Sequence, residues 1–519
     1  MKQTMKEIRI LFSAICISLS LNAAAQNEYD AFTLSQQYNE GTARSVAMGN
    51  AMTALGGDMG AIAINPAASG VYRFNELVLT PAITVGSNTS NYLGVSSEAS
   101  KTRMGLANFG FIGTFNTWRK ERGLLSWNFG VAFNKLNNYT DNMTAMGRNG
   151  ESSWLQPLAA RTNGVHATRL DYNDRQDPFY DYSWNSVLAW NTSALDTLPD
   201  SGHDYIATTE NIYNNGTFGL GGELDQYYNR WSVGNTSQID LNFGGNISNK
   251  VFFGVNLGVL SIYQKYYECY SEWAVNVSDF QTGFSSFLYE YMKKTTGTGV
   301  NLRAGVIVLP VKGLRLGASI STPTWMFLKD EYQQNMSTEF SNGDNPYLTS
   351  PLGEYDYRLN TPFRWTLGAA YVFGKAATLS VDYENVNYSQ MKLEDEDYPG
   401  YFNETNKIIK NVYTTQNILR VGGEVKINSN IAARAGYQYY SSGEKSVSRE
   451  LHIGSVGLGY TADNGIFADI AGQFKLKQNN ESFALYDDIY DGNELITAAP
   501  VGTNKSMKWK ILFSIGLRF

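Results

Sequence analysis

The feature that constrains the fold most is an alternation with a period of two residues at the end of the chain. In the segment "KWKILFSIGLRF", residues 508–519, large apolar side chains take every second position: Trp509, Ile511, Phe513, Ile515, Leu517 and Phe519. The positions between them hold lysine, serine, glycine and arginine, with Leu512 as the apolar exception. Successive side chains of a strand point to opposite faces, so the segment predicts a strand with one apolar and one mostly polar face.

Strand-like segments recur along the chain fourteen times. They lie near 72–87, 102–117, 122–139, 229–247, 251–268, 292–309, 313–328, 354–373, 376–391, 412–427, 430–441, 450–462, 465–478 and 504–519. Short turns such as "SNK" at 248–250 alternate with longer links at about 140–228, 269–291, 329–353, 392–411 and 479–503, while 88–101 and 442–449 are intermediate. An even strand number with short turns at one end and long loops at the other is typical of membrane barrels. The sequence therefore predicts an all-β fold, a 14-stranded antiparallel transmembrane β-barrel over residues 72–519.

The start of the chain has the pattern of a secretory signal peptide. Basic residues precede the apolar run 10–21, and alanines at 23–25 give a small-residue cleavage site, so we predict a signal peptide over residues 1–25. Its removal would leave Cys269 as the single cysteine, and no intrachain disulfide is expected.

The composition fits a barrel better than a helical membrane protein. Aromatic residues make up 13% of the chain and charged residues 17%, below the usual quarter. After the signal there is no run of 18 apolar residues that would predict a spanning helix. The formal net charge of −7 argues against a nucleic-acid partner.

Charged side chains fall on the face opposite the apolar one. The alternation directs Arg303, Arg315, Arg364, Arg420, Arg434, Asp240, Asp382, Glu424 and Asp469 toward the lumen, together with Glu384 and Arg518. A barrel of about eight strands is just filled by its own side chains. A fourteen-stranded barrel must therefore either conduct water or hold a plug.

Residues 26–71, between the predicted cleavage site and the first strand, are suited to be that plug. They are rich in glycine and alanine, which pass between lumen side chains, and Gly56 and Gly57 can adopt backbone conformations closed to other residues. Pro66 fixes its own φ and biases Asn65 away from helix.

The stretch "GTARSVAMGNAMTALGGDMGAIAINPAASG", residues 41–70, resembles the N-terminal hatch of the FadL/TodX family of outer-membrane transporters for hydrophobic compounds. The motif that ends the hatch is matched by Asn65, Pro66 and Ala67. We predict that these three residues, together with Gly56 and Gly57, form the gate. Later segments such as "GLRLGASISTPTWM" look similar, and Phe519 fits the terminal aromatic residue read by the barrel-assembly machinery.

The resemblance implies uptake of a hydrophobic small molecule, such as a long-chain fatty acid or an aromatic hydrocarbon, across the bacterial outer membrane. The ligand would bind on external loops, pass to a pocket beside the hatch and leave sideways at a bend in the third strand. Gly130 is the candidate for that bend, because glycine inside a strand often marks one. The resemblance implies a monomer amid outer-membrane lipid and lipopolysaccharide, with no cofactor.

The long loops hold the candidate capture surface. The segment 177–198 offers Phe179, Tyr180, Trp184, Leu188 and Trp190, and exposed apolar clusters usually mark interaction sites. The alternative is that these loops pack on one another and cap the barrel.

Three other functions stay open. An enzyme is disfavoured because the chain has no G-x-S-x-G or H-E-x-x-H motif, and we predict no catalytic or metal site. A haem receptor would have to use His166 and His203, both in the longest loop. A general diffusion porin would conduct ions freely, whereas a plugged transporter would not.

Overall fold

A computed structural model describes residues 27–214, 216–447, 449–477, 480–491 and 494–519. Fourteen antiparallel strands form one closed barrel in this part of the chain. The predicted signal peptide lies outside the described residues. Among the described residues, no helix has the length and apolar character needed to cross a membrane.

The barrel strands follow one another in chain order, and each pairs with its neighbours. They are β1 (Glu76–Tyr92), β2 (Val95–Asn116), β3 (Leu124–Asn138, continued by Asp141–Asn149), β4 (Leu224–Ile247), β5 (Val251–Ala274), β6 (Phe284–Val308), β7 (Leu314–Ser321 and Trp325–Phe340), β8 (Gly353–Asn360 and Arg364–Phe373), β9 (Ala377–Asn387), β10 (Thr415–Lys426), β11 (Ile431–Tyr440), β12 (Leu451–Thr461), β13 (Ile466–Lys475) and β14 (Val501–Arg518). Pairing of β14 with β1 closes the barrel.

Helices and short strands lie in the lumen and the long loops. The helices are α1 (Glu28–Ser35), α2 (Ala43–Ala47), α3 (Met59–Ile62), α4 (Leu155–Thr162), α5 (Trp184–Asn191) and α6 (Asn403–Val412), with 3₁₀ turns at Pro66–Val71, Ala167–Arg169, Pro178–Tyr180, Val277–Asp279 and Tyr388–Gln390. Short strands lie at Leu195–Thr197, Tyr205–Ala207, Glu210–Ile212, Phe218–Leu220, Tyr347–Thr349, Lys392–Glu394, Asn480–Ala484, Ile489–Asp491 and Glu494–Thr497.

The outer surface of the barrel is apolar, and the C-terminal alternation is confirmed. Ile511 and Phe513 are 42% and 46% exposed, whereas Leu512 and Ser514, at the alternate positions, are buried on the lumen side. The same outward row continues on every strand of the wall, for example at Leu257 on β5. An apolar belt of this kind is matched by lipid tails, so the fold is that of a transmembrane β-barrel.

The predicted strand number is right, but several boundaries are wrong at the long-loop end. The link expected at 88–101 is a two-residue turn at Leu93 and Gly94, both with positive φ, as tight hairpins require. The loop expected at 269–291 shrinks to 275–283 because β5 and β6 run on. There the outward face carries polar side chains such as Lys294 and Glu331, so the ladder continues after the apolar alternation has ended.

Two inserted regions cover the barrel axis. Residues 27–75, which we call the plug, lie in the lumen and contact strands around the barrel. Residues 150–223, which we call the cap, connect β3 to β4. They pack against the upper ends of neighbouring strands in a separate apolar core that includes Leu155 and Leu188 of the cap and Phe287 of β6.

Candidate functional site: plug, lumen chamber and a gap in the wall

Glycines on the barrel wall let the plug backbone approach the strands closely. A Cβ added at Gly254, Gly317, Gly422 or Gly436 would overlap backbone atoms of Pro66, Thr53, Met48 or Gly49 respectively. These wall positions belong to β5, β7, β10 and β11, so the contact extends around much of the barrel. The plug is therefore seated by close backbone contact, which side chains on those wall positions would prevent.

The Asn65–Pro66–Ala67 motif lies between the plug and the wall. The Asn65 amide nitrogen donates to the carbonyl oxygens of Thr53 (2.7 Å) and Val306 (3.3 Å), and its side-chain oxygen accepts from the Ala67 amide (3.0 Å). Asn65 thus caps the 3₁₀ turn that begins at Pro66, a favoured first position for proline. The Pro66 carbonyl accepts from Asn242 of β4 (3.1 Å), so the motif connects the plug to the wall.

Gly56 and Gly57 form a turn in the plug with φ of +64° at both positions. A Cβ at Gly56 would lie 2.7 Å from a Val71 methyl group, whereas at Gly57 the nearest atom is 3.7 Å away. The Gly57 amide donates to the Ala68 carbonyl (3.1 Å), which folds this turn onto the end of the plug. Both glycines supply conformations that other residues rarely adopt.

The predicted lumen charges face inward, and many contact the plug. Asp382 accepts from the Thr53 amide (2.8 Å) and hydroxyl (2.7 Å), and Arg315 donates to the Leu55 carbonyl. Glu424 lies between Arg44 of the plug (3.1 Å) and Arg434 (2.6 Å). Charge-assisted contacts of this kind are among the stronger hydrogen bonds.

The remaining predicted charges form pairs along the wall. Arg434 also pairs with Asp469 (2.5 Å). Glu384 accepts from Arg364 (2.9 Å) and from Arg420 (2.7 Å). Asp240 is fully buried, accepts from the Asn134 and Asn256 amide groups, and attracts Arg303 electrostatically.

Above the plug, toward the long loops, the lumen wall becomes apolar. The inward side chains form a buried cluster, here called the chamber: Leu260, Ile262, Met326, Leu328, Tyr357, Leu359, Val386, Ile418 and Tyr440. Helix α1 inserts Phe32 into it, stacked on Tyr413 (centroids 4.6 Å apart) and edge-on to Tyr388 (4.8 Å). Buried Phe402 and Ile409, before and within α6, belong to the same cluster, so the chamber is a closed apolar core that the Phe32 ring fills.

One strand leaves the wall beside the chamber. The β2–β3 ladder ends at Asn108 and Asn134, after which β3 bulges between Lys135 and Asn137. Its continuation, 141–149, still pairs with β4, but it crosses the inner face of β1, where inward-facing Asn88 donates to the Asn142 carbonyl (2.5 Å). Among the described residues, the upper half of β2 therefore has a ladder partner only on β1.

The result is a gap in the wall between β2 and β3. A cavity of about 150 Å³ lies there, lined by Arg103–Leu106 of β2, by Phe133, Lys135 and Asn138 of β3, and by Gly234 and Asn235 of β4. The plug contacts β3 beside this cavity, because the amides of Tyr38 and Glu40 donate to the carbonyls of Leu136 (2.7 Å) and Lys135 (2.8 Å).

The bend predicted at Gly130 is wrong in position. Gly130 is paired on both sides, with Ile112 of β2 and Asn242 of β4, so the ladder is regular there. An added Cβ there would make only ordinary contacts, the nearest at 3.4 Å from the Phe111 carbonyl. The strand departs from the wall a few residues later, at the bulge beyond Asn134.

Most of the predicted capture surface is core. Phe179 and Leu188 are 6% and 0% exposed, and Trp184 and Trp190 pack partly buried against the same cap cluster. Tyr180 is the exception at 90% exposed. The alternative packing interpretation therefore describes this segment, and the aromatic side chains stabilise the cap.

The two histidines of the haem alternative lie on the outer surface of the cap, both exposed. Their segments adjoin, because the Gly164 amide donates to the His203 carbonyl (2.7 Å), and His166 contacts Thr168 (3.0 Å). Within the described ranges, no group of three or more His, Cys, Asp or Glu side chains is arranged to hold a metal ion.

The fold is shared with solved channels. The toluene transporter TodX of P. putida aligns with a TM-score of 0.50 at 13% identity, over 92% of this chain and 99% of that protein. A Pseudomonas aeruginosa FadL homologue aligns with a TM-score of 0.52 at 13% identity, over 93% and 98%. No family model and no curated protein sequence matches the chain. The chain therefore has the fold of the FadL-type channels, as the resemblance of residues 41–70 predicts.

Proposed function

We propose that the protein carries hydrophobic small molecules across the bacterial outer membrane, through the chamber and sideways out of the gap. The observation that carries the proposal is that the apolar cluster of the chamber lies next to an interruption of the wall. Leu136 and Tyr139, at the bend of β3, belong to the chamber cluster and lie next to the cavity in the gap. An apolar solute on this route would not enter water below the plug.

Burial of the solute supplies the driving force for binding. Apolar surface removed from water gains about 25 cal/mol per Å². Because Phe32 already fills the chamber, the solute would have to displace its ring from between Tyr388 and Tyr413. Helix α1 is held by a Lys293–Asp30 ion pair (2.6 Å) and by Arg364 donating to the Ser35 carbonyl (2.7 Å).

Substitution of Phe32 tests the chamber. Phe32→Ala should raise the affinity of the purified protein for toluene or an alkane several-fold, since the side chain that competes with the solute is gone. Tyr29→Ala is the matched control, because Tyr29 lies on the same helix and is 54% exposed. Equal affinities in the wild type and both variants would exclude the chamber as the binding site.

The diffusion-porin alternative makes a different prediction for ion flow. In planar bilayers the plugged protein should pass little current, and deletion of residues 27–65 should open a large conductance. High conductance of the intact protein would favour a porin.

A further inference from the structure

Basic side chains gather on the inner face of the wall beside the gap. The strand register puts two cations in each of two neighbouring rows: Lys508 and Lys101 flank Gly86, and Lys510 and Arg103 flank Thr84. Lys135, at the bend of β3, adds a fifth cation to this basic cluster. Like charges close together on one sheet face repel one another and need compensation.

Carboxylates of the protein neutralise only part of this positive charge. Glu40 of the plug pairs with Lys135 (3.1 Å) and with Lys510 (2.5 Å). Among the described residues, no carboxylate lies within ion-pair distance of Lys101, Arg103 or Lys508. These three cations therefore form an excess of positive charge that Glu40 and the more distant Asp141 do not balance.

Arg103 carries the strongest sign of a missing partner. Its side chain lines the cavity in the gap, and within the described part of the chain its buried Nη1 atom has no hydrogen-bond acceptor. A buried donor left without an acceptor is destabilising. Nearby, Lys101 holds its ammonium 4.2 Å from the Trp231 ring, and Lys508 donates to the Asn138 carbonyl (2.8 Å).

The cluster lies at the upper edge of the apolar belt. The outward neighbours in these rows are Trp509 on β14 and Met104 on β2, both exposed. On β14 the belt ends just above, where Lys505 faces outward. Aromatic side chains at such a border mark the interface between lipid tails and head groups, so the gap opens at the depth of polar head groups.

We propose that the gap binds the anionic head group of an amphiphile, a phosphate or carboxylate group attached to an apolar tail, with Arg103 contacting the oxyanion. A guanidinium fork matches the geometry of both groups, and about 150 Å³ accommodates a head group but not a whole lipid. The tail would lie in the chamber or against the outer belt. This inference rests on the proposed function and specifies the chemical class of the permeant or of the lipid lodged in the gap.

The test compares three probes with one tail length: dodecanoate, dodecyl phosphate and dodecanol. Binding is measured on the full chain in nanodiscs of neutral phosphatidylcholine. The wild type should bind at least one anion more tightly than dodecanol. Arg103→Gln should weaken anion binding roughly 10-fold or more, the loss expected for a charge-assisted hydrogen bond, and leave dodecanol binding unchanged.

Controls separate this site from a folding defect and from the function itself. Arg103→Lys should keep part of the anion preference, and Arg175→Gln, at an exposed loop position, should behave as wild type. Anion affinity unchanged in Arg103→Gln, or equal loss for dodecanol, overturns the proposal. If the wild type binds dodecanol but prefers neither anion, the head-group site fails and the proposed function stands. If no probe binds, the proposed function fails.

A competition experiment distinguishes a membrane lipid from a permeant as the source of the head group. Lipid A added to the nanodiscs should displace dodecyl phosphate if the gap takes a membrane lipid. A preference for dodecanoate that survives added lipid A would assign the site to an acidic permeant. Both results support an oxyanion site in the gap.

Discussion

The plug and the cap both lie across the barrel axis, yet different forces hold them. The plug contacts the wall through backbone packed on glycines and through ion pairs such as Arg44–Glu424. The cap is held by an apolar core that includes Leu155, Leu188 and Phe287, all at most 1% exposed. The plug thus adds ion pairs and glycine-seated backbone to its apolar contacts with the wall, which fixes its position, whereas the cap core consists of packed apolar side chains.

The largest expected effect comes from filling one of the wall glycines. A side chain at Gly422 would overlap the Met48 backbone of the plug, so Gly422→Val should prevent the plug from seating. Gly423→Val is the matched control, because its Cβ would meet only the Thr378 carbonyl, at 3.9 Å. We expect Gly422→Val to lose folded barrel in heat-modifiability gels or to raise ion conductance sharply; the same behaviour in both variants would contradict the seating contact.

Breaking the buried ion pairs should come next. Glu384→Ala leaves Arg364 and Arg420 buried without their carboxylate, and loss of one partner of a buried pair costs about 3–5 kcal/mol. Glu404→Ala, which breaks an exposed pair with Lys407 on α6, should cost at most about 1 kcal/mol. Urea unfolding in detergent measures both; similar small losses would mean that the lumen pairs do not stabilise the barrel.

A substitution that creates a cavity in the cap core should lower stability in the cap but not in the plug. Leu188→Ala removes a fully buried side chain, and such changes cost about 2–5 kcal/mol. The loss should appear as faster hydrogen exchange in 155–207, while plug amides keep their protection. Exposed Tyr180→Ala should change neither region. Loss of protection in the plug as well would show that the two regions are coupled.

The smallest effect concerns pH. Burial raises the pKa of Glu210 in the cap, although Gln156 and the Ala207 amide hydrogen-bond to the carboxylate. A folded-state pKa above the unfolded value means that protonation favours the closed cap. Cap protection should therefore be greatest at low pH and fall as pH rises through the pKa of Glu210. Hydrogen exchange of Tyr205–Ala207 checks this, and Glu210→Gln should remove the dependence.

The sequence predicts the barrel well because lipid imposes a rule on every strand. Outward residues such as Ile511 and Phe513 must be apolar, so the alternation records the wall directly. The plug motif is predictable for a related reason, since Pro66 has a fixed φ and few residues other than glycine adopt the positive φ found at Gly56 and Gly57.

The resemblance implies a pocket and an opening at the third strand, but the position of the gap and the residues of the chamber are not predicted, because they depend on register and on distant contacts. The bend at Lys135 is one of two bulges in the β3–β4 ladder, and the residue alternation around it resembles that of any strand. Phe32 lies before the hatch motif, and its partner Tyr413 is 381 positions away. The wall glycines had a readable signal, because Gly254, Gly317 and Gly422 share the lumen face of their strands.

The most direct test of lateral passage maps the path that an apolar solute takes through the protein. An alkane carrying a photoreactive diazirine is added to membranes that hold the intact protein, and labelled peptides are mapped by mass spectrometry. We expect labels on chamber strands near Leu260 and Leu328 and on both edges of the gap, near Leu106 and Phe133. Labels that instead continue along the plug toward Gly57 and Val71, with none in the gap, would contradict lateral passage.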